Sequence, residues 1–162
     1  MFTLQDLLDI AVKMEKNGEA IYRNAAEEAK LPEIASLLTW MADEEANHQK
    51  WFERCKREWG TTAKAIPEEE GMLPEILNQM MGNKSLSLDE VSFSEIDSPS
   101  RLMAVFKEFE TDTLLFYDFL KAFIEDPHAL EGLDRIIQEE KNHIQKLEAM
   151  AGTSDDGAPK MS

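Results

Sequence analysis

Apolar side chains recur along this chain at alternating steps of three and four residues, in four separate stretches. This rhythm places them on one stripe of an α-helix, the stripe that a helix bundle turns inward. The first two stretches run through Leu4, Leu8, Ala11, Glu15, Gly18, Tyr22, Ala25 and Ala29, and through Ile34, Leu38, Met41, Glu45, His48, Phe52, Cys55 and Trp59. The last two run through Met103, Phe106, Glu110, Thr113, Tyr117, Leu120 and Ile124, and through Ala129, Leu133, Ile136, Glu140, His143, Leu147 and Met150. We therefore predict four helices and an all-α fold.

The breaks between the stretches predict how the helices are connected. Pro32 divides the first stretch from the second, and Pro127 divides the third from the fourth, so each pair is joined by only a few residues. Helices joined by so short a connection are antiparallel neighbours. Thr3 and Ser98 are suitable N-caps for the first and third helices.

The two pairs are separated by a connection from about residue 60 to residue 97. That is too long for a plain loop in a compact domain. Two antiparallel hairpins joined by one long crossover form the ferritin-like type of four-helix bundle. We assign residues 1–150 to this bundle and expect residues 151–162 to form a disordered tail.

The two halves of the chain repeat each other at an offset of 95 residues, without any insertion. The matching pairs are Glu15 and Glu110, Tyr22 and Tyr117, Pro32 and Pro127, Leu38 and Leu133, Glu44 and Glu139, Glu45 and Glu140, Asn47 and Asn142, His48 and His143, and Glu53 and Glu148. A helix-loop-helix unit has been duplicated, and we expect its copies to pack about a pseudo-twofold axis.

Six ionisable residues lie on the inward stripes, where apolar side chains are expected: Glu15, Glu45, His48, Glu110, Glu140 and His143. In each Glu-x-x-His pair the two side chains share one helix face, with about 5–6 Å between their Cβ atoms, so both can reach one metal ion. One Glu from each of two helices and a Glu-x-x-His from each of the others is the pattern of di-iron and di-manganese carboxylate bundles. A single Glu-x-x-His in a Glu-rich helical protein is more often a solvated face.

The chemistry of these donors narrows the choice of metal. Carboxylates in a bundle core repel one another and lose hydration, and two divalent cations would balance four of them. Oxygen and imidazole donors without thiolate favour iron or manganese, and a binuclear zinc site stays open. We expect the hydroxyls of Tyr22 and Tyr117 to bond ligand carboxylates. Glu44 and Glu139 fall off the stripe, and we interpret them as surface charge or as charge outside the ligand set.

Composition excludes several other classes of function. The net charge of −16 argues against binding to nucleic acid or to an anionic membrane surface. The single cysteine, Cys55, excludes an internal disulfide and a Cys-x-x-Cys metal site. The first residues lack the pattern of a signal peptide, and no stretch is apolar enough to span a bilayer, so we expect a cytoplasmic protein.

The four helices, from about residue 3 to residue 150, resemble the ferritin-like domain of rubrerythrins. The motifs that carry this resemblance are Met14-Glu15 to Ile21-Tyr22, Ala42-Asp43-Glu44-Glu45-Ala46-Asn47-His48, Phe109-Glu110 to Phe116-Tyr117, and Glu139-Glu140-Lys141-Asn142-His143. The resemblance implies a di-iron site that reacts with hydrogen peroxide or dioxygen and receives electrons through a rubredoxin-like iron centre. It implies as ligands the same six residues, and a homodimer.

The chain departs from the rubrerythrin pattern in two ways. It lacks the four-cysteine rubredoxin module, so we expect a separate electron donor such as a rubredoxin-like protein. It also has Thr113 where rubrerythrins carry an extra Glu, whose carboxylate exchanges with His as the irons change redox state. The leading hypothesis is a redox enzyme that reduces peroxide or dioxygen. The alternatives are ferroxidase or other iron handling, and a helical interaction module with a vestigial site.

Overall fold

The computed structural model describes residues 3–59 and 98–155, and these form four α-helices. Helix α1 spans Leu4–Glu28, α2 spans Pro32–Trp59, α3 spans Pro99–Lys121 and α4 spans Pro127–Asp155. The predicted all-α class is therefore confirmed. The predicted crossover, 60–97, lies outside the described residues.

The helices begin where their capping residues predict. The hydroxyl of Thr3 accepts a hydrogen bond from the backbone N–H of Asp6 at 3.2 Å, and the Asp6 carboxylate accepts one from the N–H of Thr3 at 2.9 Å. This reciprocal pair is a capping box, which satisfies two N–H groups at the start of α1. Ser98 accepts from the N–H of Arg101 at 3.2 Å, and Pro99 follows it in the first turn of α3.

Two helix ends differ from the simple pattern. Helix α3 ends at Lys121, and a tighter turn follows in which the N–H of Phe123 donates to the carbonyl of Leu120 at 3.0 Å. Ile124 is nevertheless buried, as its place on the stripe predicts. Helix α4 continues to Asp155, five residues beyond position 150. The rest of the predicted tail, 156–162, lies outside the described residues.

The core consists of two apolar clusters at opposite ends of the bundle. One joins the start of α1 and the end of α2 to the end of α3 and the start of α4, and it includes Leu8, Phe52 and Leu120. The other joins the opposite ends of the same helices and includes Leu38 and Phe106. Burying each such side chain contributes roughly 1.5–3 kcal/mol. The middle of the bundle lies between the clusters, and the inward positions there are polar.

Of the two glycines whose surroundings the structure describes, Gly132 is packed the more tightly, between α2 and α4. A Cβ atom added to Gly132 would lie 2.5–2.8 Å from three atoms of the Trp51 indole ring. Real Cβ atoms do not approach so closely, so the absence of a side chain at this buried position allows the ring to pack close to the α4 backbone. None of the four described helices combines the length and the apolar character that crossing a membrane requires.

We expect Gly132→Ala to lower the free energy of unfolding by about 1 kcal/mol. Alanine in a helix is favoured over glycine by about 1 kcal/mol, but overpacking a core costs about 1–3 kcal/mol. Chemical denaturation measures the change. In a Trp51→Ala background the ring is gone, so the same substitution should become stabilising. A Gly132→Ala effect that is the same in both backgrounds would contradict this contact.

Candidate metal centre

The six ionisable residues of the inward stripes meet in the polar layer between the two apolar clusters. Helices α1 and α3 each contribute one glutamate, and α2 and α4 each contribute a Glu-x-x-His pair. None of the six is more than 3% exposed: Glu15, Glu45, His48, Glu110, Glu140 and His143. The spacing of three and four residues places them on the inward face of each helix, and the antiparallel packing of each hairpin brings them to the same level.

Their donor atoms form two overlapping groups, and within each group all donors lie within 4.8 Å of one another. The first consists of Glu15, Glu45, His48 and Glu140, and the second consists of Glu45, Glu110, Glu140 and His143. Glu45 and Glu140 belong to both groups. The arrangement therefore matches two adjacent cation positions, with a pair of carboxylates between them.

Both imidazole rings direct Nδ1 toward these carboxylates. Nδ1 of His48 lies 2.8 Å from Glu140 and 3.6 Å from Glu15. Nδ1 of His143 lies 3.4 Å from both Glu45 and Glu140, and 3.5 Å from Glu110. The two rings are nearly parallel, with centroids 6.2 Å apart and 22° between their planes.

Two buried tyrosines hydrogen-bond the glutamates of α1 and α3, the helices that contribute only one ligand candidate each. The hydroxyl of Tyr22 in α1 donates to Glu110 in α3 at 2.6 Å, and that of Tyr117 in α3 donates to Glu15 in α1. Burial raises the pKa of both phenols well above the ordinary value, and the neighbouring carboxylates raise it further, Glu110 beside Tyr22 and Glu15 beside Tyr117. Both tyrosines therefore stay neutral donors, and each tethers one hairpin to the other.

Two further carboxylates contact the outer nitrogens of the imidazoles. Nε2 of His48 lies 2.8 Å from Glu139, and Nε2 of His143 lies 3.0 Å from Glu44. Sequence reasoning left both glutamates outside the site, because they fall off the inward stripe. The sequence does contain a signal that could have identified them. Each directly precedes a glutamate of the site, and the two are related by the same 95-residue repeat.

The layer contains buried polar atoms without hydrogen-bond partners among the described residues. They are Oε2 of Glu15, Oε1 of Glu45, Oε2 of Glu110, Oε2 of Glu140 and Nδ1 of His143. Buried polar groups are nearly always satisfied in folded proteins, so this concentration in one place requires a partner. Carboxylate oxygens and imidazole nitrogens are donors that iron and manganese accept. The residues therefore fit a pair of divalent cations.

The electrostatics of the metal-free chain point the same way. Burial, together with the charges of neighbouring carboxylates such as Glu140, raises the pKa of Glu45 well above its usual range and that of Glu110 to about 8. Burial opposes charge on the histidines, but the facing carboxylates raise the pKa of His48 to about 12 and that of His143 to about 11. Burial likewise opposes charge on Glu140, yet hydrogen bonding from Glu110 and the charge of His143 hold its pKa well below its usual range. Protons thus supply positive charge that cations could replace.

The inward position three residues after Glu15 in α1, and after Glu110 in α3, carries no carboxylate. Thr113, one turn after Glu110, is buried, and its hydroxyl donates to the carbonyl of Phe109 at 2.9 Å. Gly18 is its counterpart one turn after Glu15. A Cβ atom at Gly18 would lie 3.3 Å from Oε2 of Glu45, so the glycine leaves that carboxylate room.

We expect the metal-free protein to become less stable as the pH rises above about 5. Glu45, Glu110, His48 and His143 have raised pKa values in the folded chain, so above their unfolded values the folded form binds more protons than the unfolded form. For Glu110 this window runs from 4.5 to about 8, and for His48 from 6.5 to about 12. The lowered pKa of Glu140 acts only at more acidic pH.

Thermal melts in the presence of a chelator, at a series of pH values, measure this dependence. The double variant Glu45→Gln/Glu110→Gln should show a flatter decline, because two of the groups that bind these protons are gone. Adding a divalent cation should raise the melting temperature more at higher pH, since ligands bind metal when deprotonated. A melting temperature that climbs with pH in chelator would contradict the expectation.

Comparison with known proteins agrees with the fold. A protein from Thermotoga maritima, whose crystal structure is described as that of a ferritin-like diiron-carboxylate protein, has a TM-score of 0.70 and 21% sequence identity. The similarity covers 94% of this chain and 97% of that one. No curated protein matches the sequence significantly. The family model described as Rubrerythrin matches residues 6–151, nearly the whole chain, and the protein therefore belongs to the rubrerythrin family.

Proposed function

We propose that this protein holds a pair of iron ions in the polar layer of the bundle. The observation that carries the proposal is the overlap of two donor groups, each built on one hairpin and completed by a carboxylate of the other. One ion would bind Glu15 and His48, and the other would bind Glu110 and His143. Glu45 and Glu140 would lie between the two ions and serve both.

Charge balance supports two divalent ions rather than one. Four glutamates carry four negative charges when ionised, and a neutral imidazole adds none. Two divalent cations cancel that charge in a layer that the apolar clusters shield from water. Thiolate is not available, because Cys55 belongs to one of those clusters. We propose iron because the donors are oxygen and nitrogen atoms and because the chain belongs to the rubrerythrin family. Metal analysis of protein that is expressed with iron, manganese and zinc supplied together tests this choice.

We propose further that the centre reacts with hydrogen peroxide or dioxygen. Two bound ferrous ions would supply two electrons, which together with two protons reduce hydrogen peroxide to two waters. The chain's own part is to fix the donors: the hydroxyls of Tyr22 and Tyr117 hold Glu110 and Glu15 in place, and the apolar clusters limit access of water. The single cysteine cannot form a four-cysteine iron centre, so we expect electrons from a separate donor such as a rubredoxin-like protein.

Iron oxidation without storage is the second candidate, and Thr113 favours it. The hydroxyl of Thr113 is bonded to the carbonyl of its own helix, so this position offers neither a carboxylate nor a free hydroxyl to the centre. A centre without that additional donor would have one ligand fewer to retain its ions, which would favour release of iron after oxidation. The two candidates differ in their oxidant and in whether iron turns over.

We also propose that residues 1–150 form one domain that the end of α4 extends to Asp155, with its crossover at about 60–97 and a tail after the helix, and that the domain forms a homodimer. The resemblance to rubrerythrins supports the dimer. Limited proteolysis tests the boundaries, and light scattering tests the oligomeric state.

Titration with ferrous iron under anaerobic conditions, followed by calorimetry, should give two ions per chain. Glu140→Gln should weaken both binding steps, because its carboxylate belongs to both donor groups, whereas Glu15→Gln should weaken one. We expect losses of at least about tenfold in each affected step. Glu148→Gln removes one charge from the same helix as Glu140, at a surface ion pair with Lys107, and should leave both steps intact. Undiminished binding of two ions by Glu140→Gln would contradict the proposed ligands.

Stopped-flow absorbance of the diferrous protein distinguishes the two reactions. Rapid oxidation by stoichiometric peroxide, with no reaction beyond two irons per chain, is the result expected of a peroxide-reducing centre. Faster oxidation by dioxygen, continuing when ferrous iron is in excess, would identify the iron-oxidising function. Diferrous protein that is inert to both oxidants would exclude each candidate and leave a non-catalytic module.

A further inference from the structure

Trp40 lies between solvent and one of the two histidines of the metal centre. Its ring meets the His143 ring edge-on, with 5.1 Å between their centroids and 75° between their planes. The Trp40 side chain also lines an open surface concavity, together with Ser36, Thr39 and Asp43. Trp40 is half-buried and His143 is fully buried, so the indole separates this histidine from water.

Lys146 adds a second contact between the Trp40 indole and α4. Its ammonium group lies 5.5 Å from the centroid of the ring, in a cation–π contact. Lys146 follows His143 by three residues, so the two side chains share one face of α4. A cation–π contact contributes about 0.5–1 kcal/mol at an exposed site. The indole of α2 is therefore held against α4 by both the histidine and the lysine.

The other histidine of the centre has no such cover in the described residues. The repeat places Arg135 at the position that corresponds to Trp40, and Arg135 is exposed. The ring that pairs with His48 is that of His143, within the centre itself. The side chain of His48 is 4% exposed, whereas that of His143 is 0% exposed. One side of the centre is thus closed to solvent more completely than the other.

We propose that Trp40 closes the His143 side of the metal centre to solvent. The hydrophobic surroundings of a metal ion limit the access of water and of competing ligands, which must reach the ion before it can leave. The ion of the donor group that contains His143 is therefore retained, and the ion of the group that contains His48 exchanges first. This inference rests on the proposed metal centre, and it gives different lifetimes to two ions whose protein donors are equivalent.

The chain supplies a matched control for Trp40. Trp51 is another half-buried tryptophan of α2, and its ring packs against Gly132 of α4. Replacing Trp51 by alanine removes the same volume from the same helix interface without uncovering His143. A general loosening of the packing between α2 and α4 would therefore affect both tryptophan variants, whereas loss of the cover over His143 would affect the Trp40 variant alone.

Release of zinc(II) from the two-ion protein into an excess of a coloured chelator, followed by stopped-flow absorbance, tests the proposal without any redox activity. The wild type should lose its ions in two phases. Glu15 belongs only to the donor group of His48, so Glu15→Gln should diminish the fast phase and keep the slow one. Trp40→Ala should accelerate the slow phase by about tenfold or more, and Trp40→Phe, which keeps a ring, by much less. Trp51→Ala should leave the slow phase unchanged.

Several results would overturn the proposal. A wild type that releases both ions at one rate, or a slow phase that is lost in Glu15→Gln, would contradict the identity of the retained ion. A slow phase that Trp40→Ala leaves unchanged, or that Trp51→Ala accelerates equally, would show that the cover over His143 does not control release. A wild type that binds no zinc would refute the proposed metal centre, and this inference with it.

Discussion

Acidic side chains in the middle of an apolar bundle need positive charge beside them, and the rest of this structure depends on how that need is met. Four carboxylates in close contact lose hydration and repel one another, at a cost of several kcal/mol for each one left uncompensated. Tyrosine hydroxyls, imidazoles and protons compensate part of this cost, and several of the carboxylate oxygens still have no partner in the part of the chain that the structure describes. The charged groups destabilise the fold, and the apolar clusters on both sides of the layer supply the packing that holds these groups in place. The polar layer therefore lowers the stability of the fold at the place where a pair of cations would fit.

The duplication explains why this arrangement is nearly symmetric and also where it is not. Glu15 and Tyr117 bond across the bundle in the same way as their repeat partners, Glu110 and Tyr22. The surroundings differ farther out. The Trp40 ring meets His143 edge-on, with centroids 5.1 Å apart, whereas arginine occupies the repeat position of that tryptophan. The two donor groups thus have equivalent members but different outer surroundings, and two ions bound there would have different properties.

Periodicity predicted most of the fold, because the stripe along each helix depends only on which residues are apolar. It also predicted which six residues meet, since Glu15 and Glu45 occupy stripe positions at the level of their counterparts. What it could not predict depends on rotamers and on the packing between helices. The stripe does not predict that Tyr22 bonds Glu110 rather than another of the buried carboxylates. It places Glu139 beside the site without indicating that its side chain turns back toward His48. The contact of Trp51 with Gly132 depends on a flat ring meeting a bare backbone, which no pattern of apolar residues specifies.

The division of donors between the hairpins bears on the history of the chain. A lone hairpin offers two carboxylates and one imidazole toward a group of four, and the missing member always comes from the opposite unit. The smallest assembly able to complete a group is therefore a pair of hairpins. Before the two copies were fused, an ancestor with the same chemistry would have been two separate short chains that met face to face around their metal.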